Sequence, residues 1–324
     1  MDRAIAVAAT ARRRVAPRPW VGAVVVSADG TTFVGATDGR RGPHAEVVAL
    51  DAAGERAVGS TLYVTLEPCA HHGVTPPCAD AVIAAGVARV VVGVTDPDPK
   101  VAGEGLARLR DAGVEVEVGF GAAAVERQLR PYLHHRRTGR PFVVLKLALT
   151  LDGRTAAPDG SSRWITGPEA RLDVHRLRAD SDAVLVGAGT VRVDDPALTV
   201  RLPDAERGGD DTEPLRVVLG SAPAGAAVHP CVEVAGDLGA VLDDLGSRGV
   251  LQLLVEGGPT VAHAFHAAGL VDRYVLYLAP ALFGGDDARP AFAGPGAASV
   301  EGLDRLRIVD LTRVGDDLRL ELEG

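Results

Sequence analysis

The chain has 324 residues, a net charge of −9 at pH 7 and an isoelectric point near 5.5. This length predicts two domains, and the acidic balance argues against a nucleic-acid-binding protein, which usually presents a basic face. The chain has three cysteines, no secretory signal and no apolar run of the roughly 20 residues that span a bilayer. We therefore expect a cytoplasmic protein outside the membrane, in which cysteine serves metal binding or catalysis instead of disulfides.

The first half alternates buried strands with helices. Valine-rich runs at 21–27, 61–66 and 88–94 predict strands, and the segments 44–53 and 77–86 between them predict helices. Strands separated by helices of this length predict a mostly parallel sheet covered on both faces.

A predicted helix at 122–137 runs into the polar, helix-stopping segment 134–139, where we place a domain boundary. The second half continues the α/β pattern, with strands predicted at 141–149, 182–187, 215–220, 251–256 and 272–280, and helices at 168–180, 237–248 and 259–268. The segment 304–322 predicts a closing antiparallel pair of strands, and 203–213 predicts a polar loop.

Three motifs in the first half predict a catalytic zinc. Such a site needs three protein donors and an open position for water, and His44, Cys69 and Cys78 supply the donors. Zinc lowers the pKa of a bound water toward about 7. Glu46, two residues after His44, is the predicted acid–base residue that moves a proton to the departing amine. The zinc-deaminase signature H-x-E followed by P-C-x-x-C is matched in its first part only, because Cys69 and Cys78 lie nine positions apart.

Two glycine-containing junctions in the second half, 187–190 and 256–260, each follow a predicted strand. Glycine there lets a diphosphate approach backbone N–H groups at a helix start. Neither junction is a G-x-G-x-x-G, because Arg192 stands where the third glycine would be, so a Rossmann fold is disfavoured.

Longer motifs cover nearly the whole chain. They are YVTLEPCAHHG at 63–73, TPPC at 75–78, DPDPKVAG at 96–103, LDGRT at 151–155, WIT at 164–166, DDPALTVR at 194–201 and VEGGPT at 255–260. Together they resemble the RibD family, the bifunctional deaminase–reductases of riboflavin biosynthesis, in which the two cysteines show this longer spacing. The resemblance implies a cytidine-deaminase-like zinc domain over 1–139, followed by a dihydrofolate-reductase-like α/β domain over 140–324.

The resemblance also implies two reactions and two cofactors. With Zn²⁺, the first domain would hydrolyse an amino group of 2,5-diamino-6-ribosylamino-4(3H)-pyrimidinone 5′-phosphate. With NADPH, the second would reduce the ribosyl group to ribityl. The implied partners are this small phosphorylated pyrimidine and further copies of the chain, in a dimer or tetramer built through the reductase half.

Site residues carry over by the same resemblance. The implied substrate-binding residues are His71, Asp96, Lys146, Asp152, Ser162, Arg178, Leu198, Arg201 and Glu256. The implied NADPH-binding residues are Ala148, Trp164, Thr190, Asp194, Ser221, Gly257, Gly258, Pro259 and Thr260. The fork-shaped guanidinium groups of Arg178 and Arg201 suit a phosphate. Reduction also needs a group that protonates or polarises the opened sugar, and the sequence does not choose among Lys146, Asp152 and Glu256.

Five positions depart from the family pattern. Other members commonly carry Asn at Arg18, His at Thr37, Ser at Ala70, a basic residue at Val74 and Asn at Asp98. Three hypotheses follow for the deaminase half: the standard riboflavin intermediate held differently, a paralogue acting on another pyrimidine- or pteridine-type metabolite, or an impaired deaminase beside a working reductase.

Two hypotheses that assign the chain to another functional class are disfavoured. A nucleic-acid-editing deaminase needs a basic channel and stacking aromatic residues, whereas this chain is acidic and has four tyrosines. A zinc-stabilised scaffold without catalysis usually has four protein ligands, and three are found here.

Overall fold

The computed structural model describes residues 1–71, 76–99, 101–207 and 213–324. The chain divides into two compact units, Met1–Gly139 and Arg140–Gly324. Within the described ranges, no helix combines the length and the apolar character that crossing a bilayer requires.

The first unit contains every helix and strand predicted for it, each within two residues of its predicted ends. Its helices are α1 Asp2–Ala9, α2 Arg12–Val15, α3 Ala45–Ala53, α4 Cys78–Ala84, α5 Glu104–Asp111 and α6 Ala122–Thr138. Its strands are β1 Gly22–Val26, β2 Thr32–Ala36, β3 Thr61–Leu66, β4 Arg89–Val94 and β5 Glu115–Val118.

The sheet of the first unit is mixed, so the expectation of a mostly parallel sheet is wrong for its first part. The described strands are ordered β2-β1-β3-β4-β5, and β1 is antiparallel to both of its neighbours. The cause is a hairpin that sequence reasoning missed. Asp29 accepts the Ser27 hydroxyl at 2.6 Å and the Thr31 N–H at 2.9 Å, and Gly30 has a φ of 82°. Asp-Gly is a strong hairpin-turn signal.

The central strands of this sheet are buried because helices cover them. Val64 and Val92 are fully buried, and α1 packs so closely that a Cβ on Gly22 would lie 1.9 Å from the Ala4 carbonyl oxygen. Since β3 and β4 are parallel, the segments that follow them leave from the same edge of the sheet. One of these segments carries Cys69 and the other carries Asp96.

The second unit also contains every predicted helix and strand. Its helices are α7 Pro168–Ala179, α8 Ala188–Asp194, α9 Leu238–Ser247 and α10 Pro259–Ala267. Its strands are β6 Phe142–Thr150, β7 Arg154–Ala156, β8 Ala183–Gly187, β9 Leu215–Leu219, β10 Val232–Val234, β11 Gln252–Val255, β12 Arg273–Ala279, β13 Arg289–Pro290, β14 Arg307–Val314 and β15 Asp317–Glu323. The predicted polar loop contains a short 3-10 helix, Asp204–Glu206, and its residues 208–212 lie outside the described ranges.

The larger sheet of the second unit runs β10-β9-β8-β11-β6-β12-β15-β14 through the described strands. It is parallel from β10 to β12, and the closing pair β14–β15 is antiparallel, as predicted. Alternate residues of the central strands enter two apolar clusters, Leu185 and Leu253 in one, Val184 and Leu254 in the other. Parallel strands bring the carboxyl ends of β6, β8 and β11 to one edge, where the second site lies.

Candidate active sites

His44 and Glu46 occupy the start of α3. His44 is the residue that precedes the helix, in an extended conformation, and Glu46 is the second helical residue. The Glu46 residue is only 3 % exposed. Burial, the largest influence, raises the pKa of Glu46 above that of an ordinary glutamate. A raised pKa brings a carboxyl group closer to neutral pH, where it can both accept and return a proton.

The two cysteines approach His44 from different segments. Cys69 lies three residues beyond the end of β3, and Cys78 is the first residue of α4. The Nδ1 atom of His44 lies 2.9 Å from Cys78 Sγ and 3.6 Å from Cys69 Sγ. The Cys78 N–H points at Cys69 Sγ over 3.4 Å, and the Ala79 N–H donates to the Cys69 carbonyl oxygen at 3.1 Å. These backbone contacts hold the segments of the two cysteines together beside His44.

This donor set fits zinc. The ligand atoms of His44, Cys69 and Cys78 lie within 4.8 Å of one another. Among the described residues, these three side chains form the cluster of His, Cys and acidic groups that could hold a metal ion. One imidazole nitrogen and two thiolates, with a fourth position left for water, are a catalytic zinc set. A hydrogen bond with Cys78 is the main cause that lowers the pKa of Cys69 to about 4, which favours the thiolate that a metal requires.

Glu67, which precedes Cys69 in the E-P-C motif, anchors the metal loop. Its carboxylate accepts four backbone N–H groups over 3.1–3.4 Å, those of Asp96, Gly103, Gly105 and Leu106. Gly105 packs so closely that a Cβ there would lie 1.8 Å from the Pro68 carbonyl oxygen. Sequence reasoning missed this role, because the donors lie 29 to 39 residues away.

The two remaining residues predicted for the first site differ in their surroundings. Asp96 is buried, and its carboxylate accepts the Asp98 N–H and the Tyr132 hydroxyl, both at 2.9 Å. It therefore organises the loop after β4, and direct contact with substrate stays a prediction. His71 is exposed at the margin of the residues 72–75, which lie outside the described ranges.

A second site is a cavity of about 940 Å³ at the carboxyl edge of the larger sheet. It brings together most of the predicted reductase residues, namely Lys146, Ala148, Ser162, Trp164, Arg178, Thr190, Asp194, Leu198, Arg201, Glu256, Gly257, Gly258, Pro259 and Thr260. The contacts of these residues with substrate and cofactor stay predictions.

The two glycine junctions face one another in this cavity. A Cβ on Gly257 would lie 2.5 Å from the Val261 Cβ, and one on Gly187 would lie 2.8 Å from Val261 Cγ2. A Cβ on Gly258 would be 3.6 Å from Thr190 Oγ1. Side chains at Gly187 and Gly257 are therefore excluded by packing, and Gly258 leaves backbone N–H groups at the start of α10 open to an anion.

A buried ion cluster forms the floor of the cavity. Arg178 donates to Glu256 through Nε at 2.6 Å and Nη2 at 3.1 Å, and its Nη1 reaches the Thr199 carbonyl oxygen. Lys146 Nζ lies 3.7 Å from Glu256. Burial opposes ionisation of Glu256, but the charges of Arg178 and Lys146 outweigh it and lower the pKa of Glu256. Burial is also the largest influence on Lys146 and lowers its pKa.

Two predicted residues do not line the cavity. Asp152 accepts the Thr150 hydroxyl and the N–H groups of Phe283 and Gly284 over 2.5–3.1 Å, so it ties the loop after β12 to the end of β6. Ser221 follows Gly220 after β9 and is exposed. Both assignments as ligand contacts stay predictions.

Comparison with known proteins decides the family. The family model described as RibD C-terminal domain matches residues 141–320, and the cytidine and deoxycytidylate deaminase zinc-binding region matches residues 1–94. RibD of Escherichia coli is 41% identical over 362 residues, covering 100% of this chain and 98% of that protein. The chain belongs to the RibD family. RibD of Mycobacterium tuberculosis is 44% identical and covers 94% of this chain and 91% of its own length.

Solved structures agree with the RibD assignment. RibD of Acinetobacter baumannii matches with a TM-score of 0.93 and 37% identity, over 99% of this chain and 97% of that one. A Thermotoga maritima diaminohydroxyphosphoribosylaminopyrimidine deaminase/5-amino-6-(5-phosphoribosylamino)uracil reductase matches with a TM-score of 0.91 and 33% identity, over 100% and 97%. The resemblance and fold class inferred from the sequence are confirmed. The chain is a bifunctional enzyme of riboflavin biosynthesis, with a zinc-binding deaminase domain followed by an NADPH-dependent reductase domain.

The positions that depart from the RibD pattern have structural partners where they are described. Arg18 donates to the carbonyl oxygens of Gly39 and Gly42 over 3.0–3.1 Å. Burial lowers the pKa of Arg18, and the charges of Cys78, Cys69 and Glu46 oppose this, so the guanidinium lies near the metal site.

The other described positions also have partners. The Thr37 hydroxyl group donates to the Pro19 carbonyl oxygen and accepts the Val21 N–H. The Ala70 carbonyl oxygen accepts a hydrogen bond from Arg108, and the Asp98 carboxylate lies 3.4 Å from Arg136 Nε. Val74 falls outside the described residues.

Proposed function

We propose that the unit 1–139 hydrolyses an amino group of 2,5-diamino-6-ribosylamino-4(3H)-pyrimidinone 5′-phosphate, and that the unit 140–324 reduces the ribosyl group of the product to ribityl. The observation that carries this proposal is the convergence of His44, Cys69 and Cys78 beside the buried Glu46. The Thermotoga maritima relative, a diaminohydroxyphosphoribosylaminopyrimidine deaminase/5-amino-6-(5-phosphoribosylamino)uracil reductase, supports this substrate.

The test supplies this pyrimidine with and without NADPH and identifies the products by mass spectrometry. We expect the deaminated compound without NADPH and its ribityl form with NADPH. A paralogue with another substrate would leave the pyrimidine unchanged. An impaired deaminase would leave it unchanged as well, yet would reduce the deaminated compound when that is supplied directly.

In the first site, the chain holds the metal and moves the proton. His44 Nδ1 and the two thiolates would bind zinc, which lowers the pKa of water when bound. Glu46 would take a proton from the attacking water and deliver it to the leaving amine. Because Glu46 is buried, the proton transfer would take place away from bulk solvent.

In the second site, we favour Lys146 among the three candidate proton donors. Asp152 is engaged by the loop after β12, and Glu256 is held ionised by two cations, so neither offers a proton. Lys146 lines the cavity, and its lowered pKa favours release of a proton. NADPH supplies a hydride when bound. Lys146 would hold the proton that the opened sugar needs.

Arg201 tests the separation of the two sites. It lines the reductase cavity and donates through Nε to His175 Nε2 at 3.3 Å, leaving its other nitrogens for a phosphate. We expect Arg201→Ala to raise the KM of the reductase substrate about tenfold, the effect of one lost charged hydrogen bond, with deaminase kinetics unchanged. Steady-state kinetics of each half-reaction measures both effects. Equal loss in both activities would contradict two separate sites.

We further propose that the chain forms a homo-oligomer, a dimer or tetramer, through β14. This strand lies at an edge of the larger sheet and exposes Ile308, Val309 and Leu311 by 37–58 %. An apolar, unpaired edge strand is typical of an interface. We expect sedimentation velocity to show an oligomer that Leu311→Asp dissociates and that Leu282→Asp, at an exposed position elsewhere, leaves intact. A monomeric wild-type protein would contradict this proposal.

Cysteine use supports a cytoplasmic location. The predicted metal ligands Cys69 and Cys78 lie close together, and an oxidising compartment would join such thiols instead of leaving them for a metal. Cell fractionation with detection of the native chain tests this assignment.

A further inference from the structure

NADPH and NADH differ only in the 2′-phosphate of the adenosine ribose. A cation that reaches this phosphate with free hydrogen-bond donors therefore favours NADPH over NADH. The cavity of the second unit supplies many cations in a protein whose net charge is −9. The basic residues that line it are Lys146, Arg163, Arg171, Arg178, Arg192, Arg201 and Arg289.

Most of these cations already have a partner. Lys146 and Arg178 belong to the Glu256 cluster. Arg163 donates to the Asp194 carbonyl oxygen, and Arg171 donates to the Thr166 carbonyl oxygen at 2.7 Å. Arg201 donates to His175, and its remaining donors are assigned above to the substrate phosphate. Across the ranges that the structure describes, the side chains of Arg192 and Arg289 alone among the seven have no hydrogen-bond or ion-pair partner, and both residues are exposed.

The fold places these two arginines against different parts of the cavity wall. Arg192 lies on α8, which begins directly after the glycine junction at the end of β8. A Cβ on Gly220, at the end of β9, would lie 2.9 Å from Ala188 in the first turn of this helix. Arg289 lies on β13, which pairs with β7, and its Nη2 approaches Gly160. Arg192 is thus on the element shared by the predicted NADPH residues Thr190 and Asp194.

We propose that Arg192 selects NADPH over NADH by binding the 2′-phosphate. This inference rests on the proposed reductase activity and adds a specificity residue to it. The guanidinium offers up to five N–H donors, and its exposure leaves them free for an incoming phosphate. Arg192 also occupies the position where a dinucleotide-binding G-x-G-x-x-G would have its third glycine. At this position the chain therefore offers a charged side chain, where the motif would have a glycine that allows close helix–strand packing.

The test compares NADPH with NADH in the wild-type enzyme and in Arg192→Ala. We expect the substitution to raise the KM for NADPH about 10- to 100-fold, the factor of one or two charge-assisted hydrogen bonds. The KM for NADH and kcat with either cofactor are expected to stay the same. Arg192→Lys retains a charge and is expected to recover part of the preference. Arg289→Ala removes the same charge from another part of the wall and is the matched control, expected to leave the preference unchanged.

A binding measurement makes the result independent of turnover. Calorimetry with adenosine 2′,5′-bisphosphate and with AMP measures the contribution of the 2′-phosphate directly, and we expect Arg192→Ala to weaken only the bisphosphate. An equal loss with NADPH and NADH, a raised KM for the pyrimidine substrate instead, or loss of preference in Arg289→Ala alone would overturn the proposal. Failure of the wild-type enzyme to oxidise NADPH would instead contradict the reductase activity itself.

Discussion

Glu46→Gln is expected to lower kcat of the deaminase by about 10²- to 10⁴-fold, the usual contribution of a positioned acid–base group. The amide has nearly the same shape as the carboxyl group but cannot take up the proton that hydrolysis releases. Because His44, Cys69 and Cys78 form the donor set without Glu46, zinc content is expected to remain about one per chain. Ammonia release and metal analysis on the same preparation measure both quantities.

The control for this substitution is Glu55→Gln, an exposed glutamate just after α3. It makes the same chemical change outside the site, and we expect no loss of ammonia release. Loss of zinc in Glu46→Gln would show that Glu46 is a ligand, and full activity would show that the proton moves by another route. The reductase half-reaction, measured separately, is expected to be unchanged.

Lys146→Met is expected to lower kcat of the reductase by about 10²- to 10⁴-fold, with the deaminase unaffected. Methionine keeps much of the side-chain volume, and Glu256 keeps both hydrogen bonds from Arg178, so the buried carboxylate is not left unpaired. Lys146→Arg preserves the positive charge, but arginine does not release its proton in this pH range. Low activity in both variants would show that the reductase needs the proton of Lys146 and not only its positive charge.

The pH profile gives a second test of Lys146. The protonated amine is the active form, so reductase kcat/KM is expected to fall as pH rises through the pKa of Lys146. Burial lowers this pKa below the ordinary lysine value of about 10.4, which places the alkaline limb below that of a free lysine. If kcat/KM fell only at the ordinary pKa of lysine, proton donation by Lys146 would be excluded. The same alkaline fall in Lys146→Arg would also exclude it.

The metal site was predictable because each of its motifs is local. His44 and Glu46 share one helix start, and each cysteine follows a proline at an element boundary. The chemistry of zinc then restricts how three such motifs combine. The Glu67 contacts were not predictable in the same way, because their N–H donors come from segments far along the chain.

The reductase site shows the same division. The glycine junctions indicated an anion site, and the strands that deliver them were predicted in order. The partners of individual charged side chains depend on long-range packing. Asp152 accepts hydrogen bonds from residues about 130 positions away, and Arg178 donates to Glu256 and Thr199. Periodicity reports which face of an element is buried, but not which distant charge a side chain meets.

The anchoring of Glu67 has a consequence for how the enzyme would lose its metal. One carboxylate joins the start of α5 and the loop after β4 to the segment that carries Cys69, and the Cys69 carbonyl oxygen is tied to α4 through Ala79. Moving the backbone of Cys69 away from the site thus requires several of these hydrogen bonds to break together. Demetallation by a chelator is then a measure of cooperative local opening, and its rate reports the kinetic stability of this corner of the enzyme.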